Sequence, residues 1–129
     1  MKAHEVRTAA REGRTARRFF SAALMSDTKW RKLFGIVRDA HPGLHEVTVK
    51  FIGTEGTRRL DFPPWLFPPH PYVDSATTGP FALRAIEWME FPLDLTALLR
   101  PAGHFPIEVA EGRTRVIGYA APIGGPGRG

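Results

Sequence analysis

Histidine is the first residue type in this sequence that could do acid–base or metal chemistry, and it occurs five times, at positions 4, 41, 45, 70 and 104. His41 and His45 are four residues apart, which on a helix would place both imidazoles on one face, where they could bind zinc. The Pro-Gly pair between them breaks such a helix. A third ligand, His70 or Asp74, would have to come from a loop. We therefore expect exposed turn histidines, with no metal site and no cofactor.

Glu87 and Glu90 are the second candidate pair, because two carboxylates can serve as acid and base on one substrate. They lie in a segment with the pattern of a strand, where alternation sends residues three apart to opposite faces. On a helix they would be neighbours. We expect a solvated charged surface and no catalytic residues. A small enzyme of unrecognised type that uses His70, Asp74 and Glu87 is an alternative.

The segment from Phe62 to Tyr72 contains five prolines and four aromatic residues within eleven positions. Proline lacks the backbone N–H and fixes φ, so a run this dense can form neither an ordinary helix nor a central strand. Aromatic rings on a stiff backbone can bury a large apolar area on binding while they lose little conformational entropy. Binding hot spots have the same properties. A lid that packs these rings onto the core is the alternative. We expect a protein-binding surface formed by Trp65, Phe67, His70 and Tyr72.

Positive charge is concentrated at the start of the chain. Residues 1–24 hold six basic and two acidic side chains, a net charge of +4, whereas residues 25–129 hold twelve and eleven, a net charge of +1. The near-neutral body therefore lacks the broad basic face of a nucleic-acid-binding domain. We expect residues 1–24 to form a flexible arm. Nucleic acid is a possible partner of this arm, through four arginines that would share one helical face: Arg11, Arg14, Arg17 and Arg18.

The start of the main helix offers a second interpretation of the arm. Met25-Ser26-Asp27 resembles a natural start followed by a helix cap, in which case the first 24 residues lie upstream of the native protein. Ser26 can cap the helix, and Asp27 would lie in its first turn. The helix itself is indicated by apolar residues at i, i+3, i+4 and i+7, namely Trp30, Leu33, Phe34 and Val37. Pro42-Gly43 ends it.

Alternating polar and apolar residues predict two hairpins and a middle strand. The first hairpin joins Glu46–Ile52 to Thr57–Phe62, and the second joins Pro106–Ala110 to Thr114–Ala120. The middle strand, from about Ala85 to Phe91, would place Ile86 and Trp88 on one face, with Glu87, Met89 and Phe91 on the other. Between the first hairpin and this strand, from Pro63 to about Pro80, we expect a long connection without secondary structure. A short helix is expected at Leu95–Arg100.

These elements predict an α+β fold. An antiparallel sheet of about five strands would pack against one main amphipathic helix, with a second short helix. Residues 25–122 would form a single domain, and residues 123–129 a flexible Gly/Pro tail. The chain has no cysteine, which fits a reducing compartment. No apolar run approaches the roughly 20 residues of a membrane span, so we expect a cytoplasmic protein with no membrane partner.

A family of small uncharacterised bacterial domains resembles this chain in one helix and two strands. The helix begins Asp27-Thr28-Lys29-Trp30, and the strands are Ile86-Glu87-Trp88-Met89-Glu90 and a closing Gly118-Tyr119-Ala120-Ala121-Pro122. The resemblance covers Met25 to Pro122. It implies no activity and no catalytic residue, because the function of that family is unknown.

The leading prediction for function is a non-catalytic protein-binding module, either an adaptor or an immunity-protein-like domain that neutralises a toxin. Its partner would be another protein, bound through the aromatic and proline-rich segment. The alternatives are a nucleic-acid-associated protein that acts through its basic arm, and the small enzyme described above. The oligomeric state is left open.

Overall fold

The computed structural model describes residues 22–66, 72–74 and 79–120, with the backbone alone for residues 65–66 and 72–74. These ranges contain two α-helices, α1 (Asp27–Ala40) and α2 (Thr96–Leu99), and eight strands: β1 (Glu46–Phe51), β2 (Arg58–Asp61), β3 (Trp65–Leu66), β4 (Tyr72–Asp74), β5 (Phe81–Ala82), β6 (Ile86–Phe91), β7 (Ile107–Ala110) and β8 (Arg113–Ile117). The main sheet has five antiparallel strands in the order β2-β1-β6-β8-β7. The predicted α+β fold, with two hairpins on either side of a middle strand and one main helix, is confirmed.

The main helix begins as the sequence predicts. The Ser26 side chain accepts a hydrogen bond of 3.1 Å from the backbone N–H of Lys29, and Asp27 lies in the first turn. At the other end, the N–H of His41 donates to the carbonyl oxygen of Val37. The predicted apolar stripe is buried, and consists of Trp30, Leu33, Phe34 and Val37. No helix in the described ranges combines the length and the apolar character needed to cross a membrane.

The hydrophobic core lies between α1 and one face of the main sheet. Edge-to-face aromatic contacts join the two layers: the ring centroids of Phe34 and Phe62 are 5.9 Å apart, and those of Phe62 and Phe91 are 5.4 Å apart. Such pairs add to the burial energy of large rings. The sheet supplies a row of buried residues from three neighbouring strands, namely Val47, Val49, Met89, Phe91 and Val116.

A β-bulge in β6 decides which of its side chains face the helix. The pairing of β1 with β6 shifts along the strand, because Lys50 lies opposite Trp88 but Phe51 lies opposite Ile86. Glu87 is therefore an extra residue, and alternation is interrupted at this point. Ile86 is buried in the core, while Trp88 lies opposite Lys50 and outside the core cluster. The expectation that Ile86 and Trp88 share a face is therefore wrong.

A second, three-stranded sheet occupies part of the long connection that we expected to lack secondary structure. Its order is β3-β4-β5, with Leu66 opposite Val73 and Val73 opposite Phe81. That expectation is wrong. Tyr72, the last residue of the proline-rich segment, begins β4, the central strand of this small sheet. None of these three strands contains a proline, so their residues keep the backbone N–H groups that a ladder needs.

Residues 22–24 run beside the end of β8. The N–H of Leu24 donates to the carbonyl oxygen of Gly118, and the N–H of Ala120 donates to that of Ala22, each at 2.8 Å. Ala23 lies opposite Tyr119 in an isolated antiparallel bridge. The backbone just before the main helix is thus hydrogen-bonded to the closing segment of the sheet.

Candidate functional site

The face of the main sheet that points away from α1 is the most distinctive surface in the described part of the chain. Along β1 the buried residues Val47 and Val49 alternate with the partly exposed Thr48 and Lys50. Cross-strand pairing then extends this polar row over three adjacent strands. We call it the outer sheet face and define it by Thr48, Lys50, Trp88, Glu90, Arg115 and Ile117, all of them partly exposed.

Trp88 and Arg115 form the centre of the outer sheet face. The guanidinium carbon of Arg115 lies 3.7 Å from the centroid of the Trp88 ring, in a cation–π contact. The same guanidinium donates to Glu90 Oε1, from Nη2 at 3.0 Å and from Nε at 3.3 Å. Arg115 is thereby held between a ring and a carboxylate, although 39% of its side chain is exposed. Tryptophan and arginine are among the residue types most enriched in protein-binding hot spots, and here the two are held in one fixed arrangement.

The β-bulge brings Glu87 to a cation of this face. Lys50 Nζ lies 2.7 Å from Glu87 Oε1, and the two side chains are 26% and 23% exposed. Lys50 also donates to the carbonyl oxygen of Thr54 at 3.0 Å. Glu87 and Glu90 therefore both bind cations of the outer sheet face, whereas strict alternation predicted opposite faces. Each carboxylate thus has its own cationic partner.

An open cavity of about 390 Å³ lies at one end of the outer sheet face. Its charged residues are already paired: Arg59 Nε lies 3.0 Å from Glu46 Oε2, and Arg113 Nη1 lies 3.3 Å from Glu90 Oε2. His45 also contributes to the wall. Within residues 22–66, 72–74 and 79–120, no three His, Asp or Glu side chains are grouped closely enough to hold a metal ion. The cavity thus offers paired charges and hydrogen-bonding groups to a polar ligand surface.

The predicted protein-binding residues are divided between the described and the undescribed parts of the chain. Trp65 lies opposite Asp74 in the β3–β4 pair, and Tyr72 lies opposite Ala82 in the β4–β5 pair. Phe67 and His70 belong to the connection between β3 and β4, which lies outside the described residues. This surface therefore stays a prediction. The four arginines of the proposed nucleic-acid-binding arm also lie outside the described residues: Arg11, Arg14, Arg17 and Arg18.

The contact between Trp88 and Arg115 was missed in the sequence. Part of the signal was present, because alternation in the last predicted strand places Arg115 and Ile117 on one side. The missing information was the bulge at Glu87, since strict alternation places Trp88 with the core residue Ile86. The position of a bulge depends on how two strands that are distant in the sequence pair, so the sequence of either strand alone does not predict it.

Comparison with known proteins identifies no relative of this chain. No protein family, curated protein or solved structure matches the chain. The resemblance to a family of small bacterial domains consequently stays a prediction.

Proposed function

We propose that this protein is a non-catalytic protein-binding module, an adaptor or immunity-like domain, whose outer sheet face contacts another folded protein. The observation that supports the proposal is the stack of Arg115 on Trp88, 3.7 Å from guanidinium carbon to ring centroid. A side chain that is already ordered loses little conformational entropy on binding, so such a pair can anchor an interface. The predicted aromatic residues of the proline-rich segment would be a second contact region.

The charges around this pair favour a protein partner over a nucleic acid. Lys50 contacts Glu87, Arg59 contacts Glu46, and Arg113 and Arg115 share Glu90. Because each cation of this surface has a carboxylate partner, little uncompensated positive charge is left to attract phosphates. Protein interfaces combine such polar rims with aromatic and arginine residues at their centres.

The proposal is tested by comparing variants as baits. Full-length protein is used with Trp88→Ala, with Arg115→Ala, and with Arg38→Ala as the matched control. Arg38 is an exposed α1 arginine paired with Asp39, so the control removes the same charge elsewhere. Quantitative mass spectrometry would identify proteins retained by the wild type and by Arg38→Ala but lost from both outer-face variants. Circular dichroism would show that all four baits are folded.

The retained protein is then purified and its affinity measured by calorimetry. We expect Trp88→Ala to raise Kd by about 30-fold, the effect of removing a hot-spot residue of about 2 kcal/mol, while Arg38→Ala leaves Kd unchanged. Equal affinity for wild type and Trp88→Ala would contradict the proposal. Recovery of nucleic acid instead of protein would also contradict the proposal. If that nucleic acid were no longer retained by a chain that begins at Met25, the result would support nucleic-acid binding by the basic arm.

A further inference from the structure

β7 is one of the two edge strands of the main sheet. Edge strands are commonly protected by charged residues or proline. The other edge, β2, has charges at three of its four positions, with the sequence Arg-Arg-Leu-Asp. In contrast, β7 has the sequence Ile-Glu-Val-Ala, and its Val109 is 42% exposed. An apolar, lightly charged edge of this kind is able to pair with a further strand.

The hydrogen-bonding groups of this edge follow from the pairing of β7 with β8. The N–H of Ile117 donates to the carbonyl oxygen of Pro106 at 2.8 Å, and Ile107 lies opposite Val116. Backbone groups along an antiparallel strand point alternately towards its neighbour and away from it. The N–H and C=O groups of Ile107 and Val109 therefore point away from β8. Within the described ranges, no strand pairs with β7 on that side.

A cavity of about 410 Å³ lies beside this edge, at the segment that leads into β7. Leu99, Phe105 and Ile107 supply apolar wall, and Arg100 and His104 supply polar groups. A side chain of an added strand could enter this cavity while the backbone of that strand pairs with Ile107 and Val109. Such a combination of backbone pairing and a side-chain pocket is how peptides commonly bind to sheet edges.

Two lysines of α1 bind to the loop that forms one wall of the cavity. Lys29 Nζ donates to the carbonyl oxygen of His104, and Lys32 Nζ donates to that of Ala102, each at 2.8 Å. These bonds hold both ammonium groups against the loop that forms the cavity wall. Neither lysine forms an ion pair with a carboxylate of the described residues. Together with Arg100 they favour a negatively charged occupant over a second copy of this chain, which would bring the same cations to the edge.

We propose that β7 and its adjoining cavity bind an extended acidic peptide segment of another protein, which joins the main sheet as an additional strand. The site is separate from the outer sheet face. Absence of peptide binding at β7 would therefore not affect the proposed function. Absence of a partner for the outer sheet face would likewise not affect the proposal for β7.

The experiment uses the full chain and a fluorescein-labelled peptide, Glu-Val-Glu-Leu-Glu-Val-Glu, with the corresponding lysine peptide as control. Fluorescence anisotropy should show binding of the acidic peptide that is at least about tenfold tighter than binding of the lysine peptide. The double variant Lys29→Glu/Lys32→Glu should weaken it roughly tenfold. Arg38→Glu reverses a charge on the same helix away from the cavity, and should have little effect. Binding that is absent, equal for the two peptides or insensitive to the lysine variant would overturn the proposal.

Amide hydrogen exchange distinguishes strand addition from loose electrostatic contact. On binding, the amides of Ile107 and Val109 should become protected, whereas those of Glu108 and Ala110 already face β8 and should change little. Val109→Pro removes one outward N–H that the sheet does not use, and should abolish binding. Protection of Ile107 and Val109 without peptide, in a dimer seen by light scattering, would assign the edge to a second copy and overturn the proposal.

Discussion

The hydroxyl group of Thr114 accepts a hydrogen bond of 2.7 Å from the backbone N–H of Leu95. The same hydroxyl donates to the carbonyl oxygen of Leu93 at 2.9 Å. Among the described residues, Thr114 is a polar residue that is completely buried, with 0% exposure. One side chain of β8 therefore fixes the segment that leads into α2, because buried backbone groups need partners.

Thr114→Val should be strongly destabilising for this reason. Valine has nearly the same shape, but it leaves the N–H of Leu95 and the carbonyl of Leu93 without partners, at an expected cost of about 2–4 kcal/mol. Thr114→Ser keeps the hydroxyl and removes a methyl group, so its cost should be only about 1 kcal/mol. Urea denaturation measures both free energies of unfolding. A serine variant that is less stable than the valine variant would show that packing, and not hydrogen bonding, dominates at this position.

The second prediction concerns Gly118, which lies against the β-bulge. Its N–H donates to the carbonyl oxygen of Glu87 at 2.7 Å. A Cβ at Gly118 would collide with the carbonyl oxygen of Ile86 and would lie 3.0 Å from that of Glu87. Because these are backbone atoms that cannot rotate away, Gly118→Ala should cost about 2–3 kcal/mol. It should also shift the bulge that brings Glu87 to Lys50.

Gly35→Ala is the matched control, with an expected effect of opposite sign. Gly35 lies within α1, and the nearest atom to its added Cβ is Arg38 Nη2, at 3.8 Å. With no clash, alanine should stabilise the helix by about 0.5–1 kcal/mol. Thermal unfolding of the two variants should therefore move Tm in opposite directions. A Gly118→Ala protein as stable as the wild type would show that the strands separate without cost at this point.

The hairpin between β7 and β8 provides the third prediction. Its two turn residues, Glu111 and Gly112, have φ values of 54° and 75°, the left-handed backbone of a type I′ turn. Glutamate is poorly suited to this conformation, whereas asparagine adopts it readily. Glu111→Asn should raise the free energy of unfolding by about 0.5–1 kcal/mol. Gly112→Ala should lower it by about 1 kcal/mol through the backbone alone, since nothing lies within 4 Å of the added Cβ. Chemical denaturation decides both, and a Glu111→Asn variant no more stable than the wild type would count against the turn assignment.

The sequence was most informative where local periodicity and capping decide the structure. The stripe from Trp30 to Val37 and the cap at Ser26 predicted α1, and alternation located the five strands of the main sheet. The bulge at Glu87 was not predicted, because the register between β1 and β6 depends on contacts between residues far apart in the chain. The three-stranded sheet was missed for a related reason. Its strands are two or three residues long, too short for a period to be recognised.

In the candidate site, too, the sequence predicted what depends on local residue type and missed what depends on strand pairing. Residue type identified Trp65 and Tyr72 as candidates, yet pairing across the sheet produced the contact between Trp88 and Arg115. Trp88 lies opposite Ile117 and Glu90 opposite Arg115, so the stack is a diagonal contact between neighbouring strands. A diagonal contact requires the register of the two strands, and sequence patterns do not supply that register.

The last prediction concerns pH and the entry to α2. Asp94 Oδ1 accepts a hydrogen bond of 2.9 Å from the N–H of Thr96. Hydrogen bonding from the Thr96 side chain and then from its backbone lowers the pKa of Asp94 below its ordinary value, with a smaller contribution from the positive charge of Arg100. Because the pKa is lower in the folded state than in the unfolded state, the ionised carboxylate stabilises the fold above the unfolded-state pKa. That contribution is lost as the pH falls through the folded-state pKa.

Thr96→Val tests this directly, because it removes the side-chain donor and keeps the backbone N–H. NMR titration of the Asp94 carboxyl carbon should show a pKa below that of an unstructured peptide in the wild type, and a higher pKa in Thr96→Val. Arg100→Gln should raise the pKa less, since the charge of Arg100 contributes less than the hydrogen bonds. If the arginine variant moved the pKa further than the valine variant, the charge of Arg100, and not the hydrogen bonds at the start of α2, would control the ionisation of Asp94.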